Sequence, residues 1–123
     1  MKKPKTAFVI PLEVYGLSVG VVLGYENIGE ALKDEETKGS YGITFCVGTP
    51  TVYVAFESKE PTHDVIAHEL FHVCSIIADI IGHDHRQEDE PMAYLCGYLH
   101  KKMYEGLAKA KAPKKESASL VKA

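Results

Sequence analysis

Five of the six histidines of this 123-residue chain lie between His63 and His85, and two of them stand four residues apart in the run His68-Glu69-Leu70-Phe71-His72. On an α-helix, residues i and i+4 are one turn apart and differ by about 40° in azimuth. Both imidazoles therefore project from one side, at a spacing that a tetrahedral zinc ion can bridge. Glu69 lies about 100° from His68, beside such an ion rather than on it, where a carboxylate can take a proton from water held at the metal. The pattern is HExxH, which makes Zn2+ the expected cofactor, His68 and His72 the expected ligands and Glu69 the expected general base. The competing reading is a pair of surface histidines on a helix that happens to contain a glutamate.

These residues need a helix, and the flanking sequence supplies one. Ile66, Leu70, Val73, Ile77 and Ile80 or Ile81 recur at three- and four-residue spacing, the pattern of a buried helical face. Thr62 is the expected N-cap, Asp64 suits the positive end of the helix dipole, and Gly82 ends the helix. Both histidines lie off the apolar stripe. After the polar stretch Gly82 to Asp89, a second helix is expected from about Pro91, with Met92, Leu95, Cys96, Leu99 and Met103 on its inner face. Upstream, β-branched and aromatic runs broken by Pro11, Gly16 and Gly20 predict strands near 6–14 and 17–24, and Asn27 to Ser40 reads as a solvated loop or short helix. Tyr41 to Val47 and Thr51 to Glu57 read as a hairpin around Gly48-Thr49-Pro50. The expected architecture is α+β: a small, mostly antiparallel sheet followed by two helices, the second closing the metal site. The strand Thr51 to Glu57, directly before the first helix, is the expected edge for pairing with an extended substrate.

With Glu90 separated from His72 by 17 residues and followed by Ala93 and Tyr94, the chain resembles the gluzincin branch of zinc metallopeptidases. More narrowly, Val65-Ile66-Ala67-His68-Glu69 through Gly82, with Asp89-Glu90-x-x-Ala93-Tyr94-Leu95-x-Gly97-Tyr98-Leu99, resembles small metallopeptidase-like proteins of bacteriophages and prophages; the resemblance covers about residues 60–104. It implies Glu90 as third ligand, water in the fourth position, and a role for Tyr94 in binding a ligand or a tetrahedral oxyanion. Larger gluzincins often have an acidic residue where Tyr94 stands, and a half-buried core tyrosine is the alternative. Pro91 disfavours helical geometry at Glu90, so Glu88, Asp89, His83 and His85 stay open as rival ligands, and His83 or His85 as a side chain over the metal. Cys74 faces away from the metal, His63 points elsewhere, and His100 reads as a surface residue.

Length and composition fit one domain, residues 1–108, with a disordered Lys/Ala/Ser tail over 109–123. Three cysteines without CxxC spacing give neither a disulfide framework nor a thiolate zinc knuckle; they read as small core residues in a reducing compartment. Lys2, Lys3 and Lys5 imitate the start of a signal peptide, but Pro11 and Glu13 interrupt the apolar run, and the uncharged stretch Val14 to Tyr25 has 12 residues, too short to span a bilayer. The expected location is cytoplasmic, with no membrane partner. The formal net charge of −3 hides an acidic centre: residues 6–108 carry 6 basic and 16 acidic side chains, a balance of −10. That field suits a divalent cation and a basic peptide rather than nucleic acid. No Gly-rich phosphate loop, Ser/His/Asp signature or aromatic-basic RNA motif is present. The expectation is a zinc metallopeptidase acting on a peptide or protein substrate, of narrow specificity, including a regulatory protease that cuts one partner. The alternative is a non-catalytic, metal-stapled protein-binding module of phage or prophage origin.

Overall fold

The β-rich first half forms four strands, β1 (Phe8–Leu12), β2 (Leu17–Leu23), β3 (Gly42–Cys46) and β4 (Thr51–Phe56), and the second half forms two helices, α1 (His63–Ile81) and α2 (Asp89–Lys111). The structure is a computed structural model that describes residues 3–28, 39–48, 50–84 and 89–111. The polar segment 29–38 and the tail 112–123 lie outside the described residues. The strands order as β1-β2-β4-β3; β1/β2 and β3/β4 pair antiparallel, and β2/β4 pair parallel. The α+β architecture, a mostly antiparallel sheet followed by two helices, is as the sequence predicts. A single 3-10 turn, Glu13–Tyr15, joins β1 to β2 and ends on Gly16 at φ 68°, a left-handed conformation that costs little only for glycine.

The pairing register sorts the side chains. Ile10 faces Val19, Val19 faces Val52, and Val54 faces Thr44; this is the face on which both helices pack, with Ile10, Val19, Val21, Val52, Val54 and Phe56 buried beneath them. Val22, Tyr53, Ala55 and Phe45 form a second cluster on the opposite face, closed by Ile28 and Tyr25. β2 and β4 are buried on both faces, which explains their near-continuous apolar sequences. One expectation is corrected here: β4 is interior, between β2 and β3, and among the described residues β3 is the outer strand on that side.

α1 lies over β3 and β4, and α2 over β1. The helices run antiparallel, shown by three cross-pairs: Lys111 with Glu60 at 2.8 Å, His63 with Tyr104, and Cys74 with Cys96. Ile66, Leu70, Val73, Cys74 and Ile77 face the sheet, whereas Ile80 is 41% exposed and Ile81 supplies the partly buried contact. At the C-terminus, Gly82 N–H donates to Asp79 O and His83 N–H to Ala78 O, the paired bonds of a Schellman cap. At the N-terminus, the Thr62 hydroxyl goes to Asp64 rather than to the backbone. That bond and the local backbone N–H groups hold the Asp64 carboxyl below the usual carboxylate range.

α2 starts two residues before Pro91, which costs no hydrogen bond in a first turn, with Asp89 and Glu90 at the positive end of its dipole. It continues through Lys111, so the expected tail boundary at residue 109 is corrected: Lys109 to Lys111 are helical, as befits strong helix formers such as Lys and Ala. Cys46 is also corrected, being an exposed residue of β3 and not a core one. Among the described residues, no helix is long and apolar enough to cross a membrane.

Candidate metal centre

His68 and His72 project from the exposed side of α1 with their Nε2 atoms 3.3 Å apart and their rings tilted 75° to each other. Two imidazole nitrogens bound to one zinc at about 2.0–2.1 Å with a tetrahedral angle stand about 3.3–3.4 Å apart. The spacing of the pair therefore matches that of two ligand nitrogens on one zinc ion. The Phe71 ring lies beside His72, at 6.1 Å between centroids, and is exposed.

Glu69 is in a different environment although it is adjacent in sequence. It is 5% exposed and is the sole charged side chain among the buried described residues. A buried carboxylate is costly unless something bonds it, and β3 provides the partner: the Thr44 hydroxyl lies 2.8 Å from Oε1. The other oxygen, Oε2, is 3.8 Å from His68 Nε2. Room for the side chain comes from Gly42, where an added Cβ would lie 2.7 Å from Glu69 Cγ. Gly42 and Thr44 are two apart in β3 and so share a face, opposite Phe56 and Val54 on the helix-covered side. The sheet presents one small and one polar residue where its other strands present Val, Leu and Ile, and Glu69 occupies the resulting space.

Two hollows of about 380 and 360 Å³ flank this point, the first reaching Tyr41 and Asp64 and the second reaching Ser75 and Asp79. Both are lined by His68, Glu69 and Gly42, so together they make a shallow cleft along α1 beside the outer strand β3. Its ends, Asp64 and Asp79, are separated by about 22 Å of helix. Among the described residues, the lining includes three carboxylates and neither Lys nor Arg. The negative field reaches Tyr25, whose hydroxyl bonds Ser40. Burial pushes its phenol pKa up against the pull of that bond, and the Glu57 and Glu69 charges add to the rise.

The other expected site residues are elsewhere. Glu90 is exposed in the first turn of α2 and lines a hollow of about 280 Å³ with Phe71, Cys74 and Ser75, without either histidine. Helix geometry accounts for this. Cys96 is level with Cys74 in an antiparallel pair, and Glu90, six residues before Cys96, lies about 9 Å further along α2, toward the C-terminal end of α1 and away from His68. Tyr94 is 75% exposed and lines an apolar groove with Pro11, Tyr15, Pro91 and Tyr98, which shares no residue with the histidine cleft. His83 follows the Schellman cap and Asp89 lies beside Glu90; His85 and Glu88 are outside the described residues. Among the described residues no group of three His, Cys, Asp or Glu side chains is close enough to share an ion. The structure thus brings together His68, Glu69 and His72, and does not bring Glu90 or Tyr94 to them.

Four cleft residues escape sequence reasoning. Asp79 had a signal, lying seven residues after His72 and so two turns along the same face. Tyr41, Gly42 and Thr44 had none, because their proximity depends on α1 packing over β3. His63 bonds Tyr104 and Cys74 contacts Cys96, both away from the cleft, as expected; His100 is half-buried, its Nδ1–H donating to Cys96 O at 2.7 Å.

Comparison with known proteins by family model, by curated sequence and by solved structure found no match.

Proposed function

We propose that the protein is a zinc-dependent peptidase of narrow specificity. The observation that carries this reading is the His68–His72 pair, spaced at 3.3 Å for a tetrahedral ion, with a buried carboxylate oxygen 3.8 Å from one of its nitrogens. His68 and His72 would hold the zinc, as two of the three protein ligands that a catalytic zinc site needs. Zinc bound there would polarise a peptide carbonyl and acidify water. Glu69 is the base: Oε2 faces the histidine side, accepts the proton and passes it to the departing amine. β3, the outer strand among the described residues and beside the histidines, offers backbone N–H and C=O groups along which an extended peptide can lie. The acidic lining favours a basic peptide and repels nucleic acid. A regulatory cut in one protein partner, as similar small HExxH proteins make, suits so shallow a cleft.

The metal-stapled binding module is the second reading, favoured by the exposed apolar groove of Tyr15, Tyr94 and Tyr98 remote from the histidines. Metal analysis and turnover separate the two. Purified protein is expected to hold about one zinc per chain, lost in His68→Ala and in His72→Ala. Glu69→Gln is expected to keep the metal and lose hydrolysis of basic peptides. Unchanged metal content in both histidine variants would refute the site. A wild type that retains zinc but cleaves no peptide would favour the module.

A further inference from the structure

We propose that Thr44 is a positioning residue that holds the Glu69 carboxylate in register for proton transfer, an inference that rests on the peptidase reading above. Thr44 Oγ1 has one proton and two acceptors within reach, Glu69 Oε1 at 2.8 Å and Glu69 O at 3.3 Å. The nearer acceptor is a carboxylate, and hydrogen bonds to carboxylates are the stronger kind, so the proton goes to Oε1. The bond divides the two oxygens by task. Oε1 is tied to the sheet, and Oε2 is left facing His68 at 3.8 Å.

A free Glu side chain has three rotatable bonds, and a base must be placed to within a fraction of an ångström of the proton it takes. Packing constrains Glu69 where Gly42 comes beneath Cγ, but packing alone does not fix the rotation of the carboxylate plane. A directional bond from a rigid element does. β3 is such an element: Thr44 sits in its middle and pairs with the fully buried Val54, and a β-branched side chain has few χ1 choices in a strand. The helix supplies the base and the sheet sets its aim. A purely structural role, satisfying a buried carboxylate, predicts the same contact, so a test must read catalysis and stability separately.

Thr44→Val keeps the shape and removes the proton; Thr44→Ser keeps the proton. Steady-state kinetics on a basic peptide is expected to show kcat about 10- to 100-fold lower in Thr44→Val, KM within about twofold of wild type, one zinc per chain, and recovery of most of kcat in Thr44→Ser. A readout that needs no turnover is an unfolding cycle of Thr44→Val, Glu69→Ala and the double variant. It is expected to be non-additive by about tenfold or more in the unfolding constant, the size of a hydrogen bond to a charged group. An unchanged kcat in Thr44→Val, or an additive cycle, would overturn the positioning role while leaving an active wild type as a peptidase. A wild type that turns over no peptide would overturn the peptidase reading, and the catalytic role of Thr44 with it.

Discussion

Gly42→Ala is the smallest perturbation that tests the packing of the candidate base. The backbone raises no objection, because Gly42 is not among the glycines at positive φ. The added methyl would lie 2.7 Å from Glu69 Cγ, 3.1 Å from Cδ and 3.2 Å from Oε2, where ordinary contacts begin at 3.4 Å. The first gap is short by about 0.7 Å. Cγ cannot swing clear as a free side-chain end would, because Cα is fixed in α1 and Oε1 is tied to Thr44. Overpacking of this kind costs about 1–3 kcal/mol, and replacing glycine in a strand returns about 0.5–1 kcal/mol, leaving a net loss of up to about 2.5 kcal/mol, with a midpoint of about 1 kcal/mol. For a domain of this size the midpoint lowers Tm by about 4 °C, readable by thermal unfolding. Displacing the carboxylate by nearly 1 Å is expected to reduce kcat by about 100-fold. Zinc content is expected to stay at one per chain, because both histidines project from the solvent side of α1. A Gly42→Ala protein with wild-type Tm and wild-type turnover would show that Glu69 does not occupy the space above Gly42, and the site geometry would fall with it.

Two further tests address the framework. In α2, a methyl at Gly97 would meet nothing within 4 Å, whereas one at Gly106 would run into the Phe8 ring. Gly97→Ala is therefore expected to stabilise by about 1 kcal/mol through helix propensity, while in Gly106→Ala overpacking of about 1–3 kcal/mol cancels or exceeds that gain; equal effects in chemical denaturation would contradict the docking of α2 on β1. A thiol reagent is expected to label exposed Cys46 first, half-buried Cys96 next and buried Cys74 only on unfolding. Burial pushes the Cys74 thiol pKa well up, and the neighbouring Cys96 adds to it, so rapid loss of all three thiols in the native protein would contradict the packing of α1 on α2.

Local signals were the ones legible in the sequence. The spacing of Ile66, Leu70, Val73 and Ile77 gives α1 its buried face, and Gly82 gives it its stop, because both depend on helix periodicity and on one residue's freedom at positive φ. His68 and His72 come together for the same reason: an i, i+4 relation within one helix needs no tertiary information. The strands were legible as segments, but their order was not. Which strand is outermost depends on β2 and β4 pairing in parallel, a contact between residues more than 30 positions apart.

The sequence by itself determined a helix with two imidazoles on one side and a glutamate one residue off that side, since fixed helical geometry converts spacing into direction. Only the tertiary structure decided what that glutamate meets. Alternation in β3 turns Ile43 and Phe45 to one core cluster and Gly42 and Thr44 to the opposite face. Packing of α1 over that face makes it the bed of Glu69, with a gap at Gly42 and a donor at Thr44. The relation of Glu90 and Tyr94 to the histidines was likewise a matter of tertiary structure. The antiparallel pairing of α1 with α2, which sets Cys96 beside Cys74, carries the first turn of α2 along the helix and past the histidine pair.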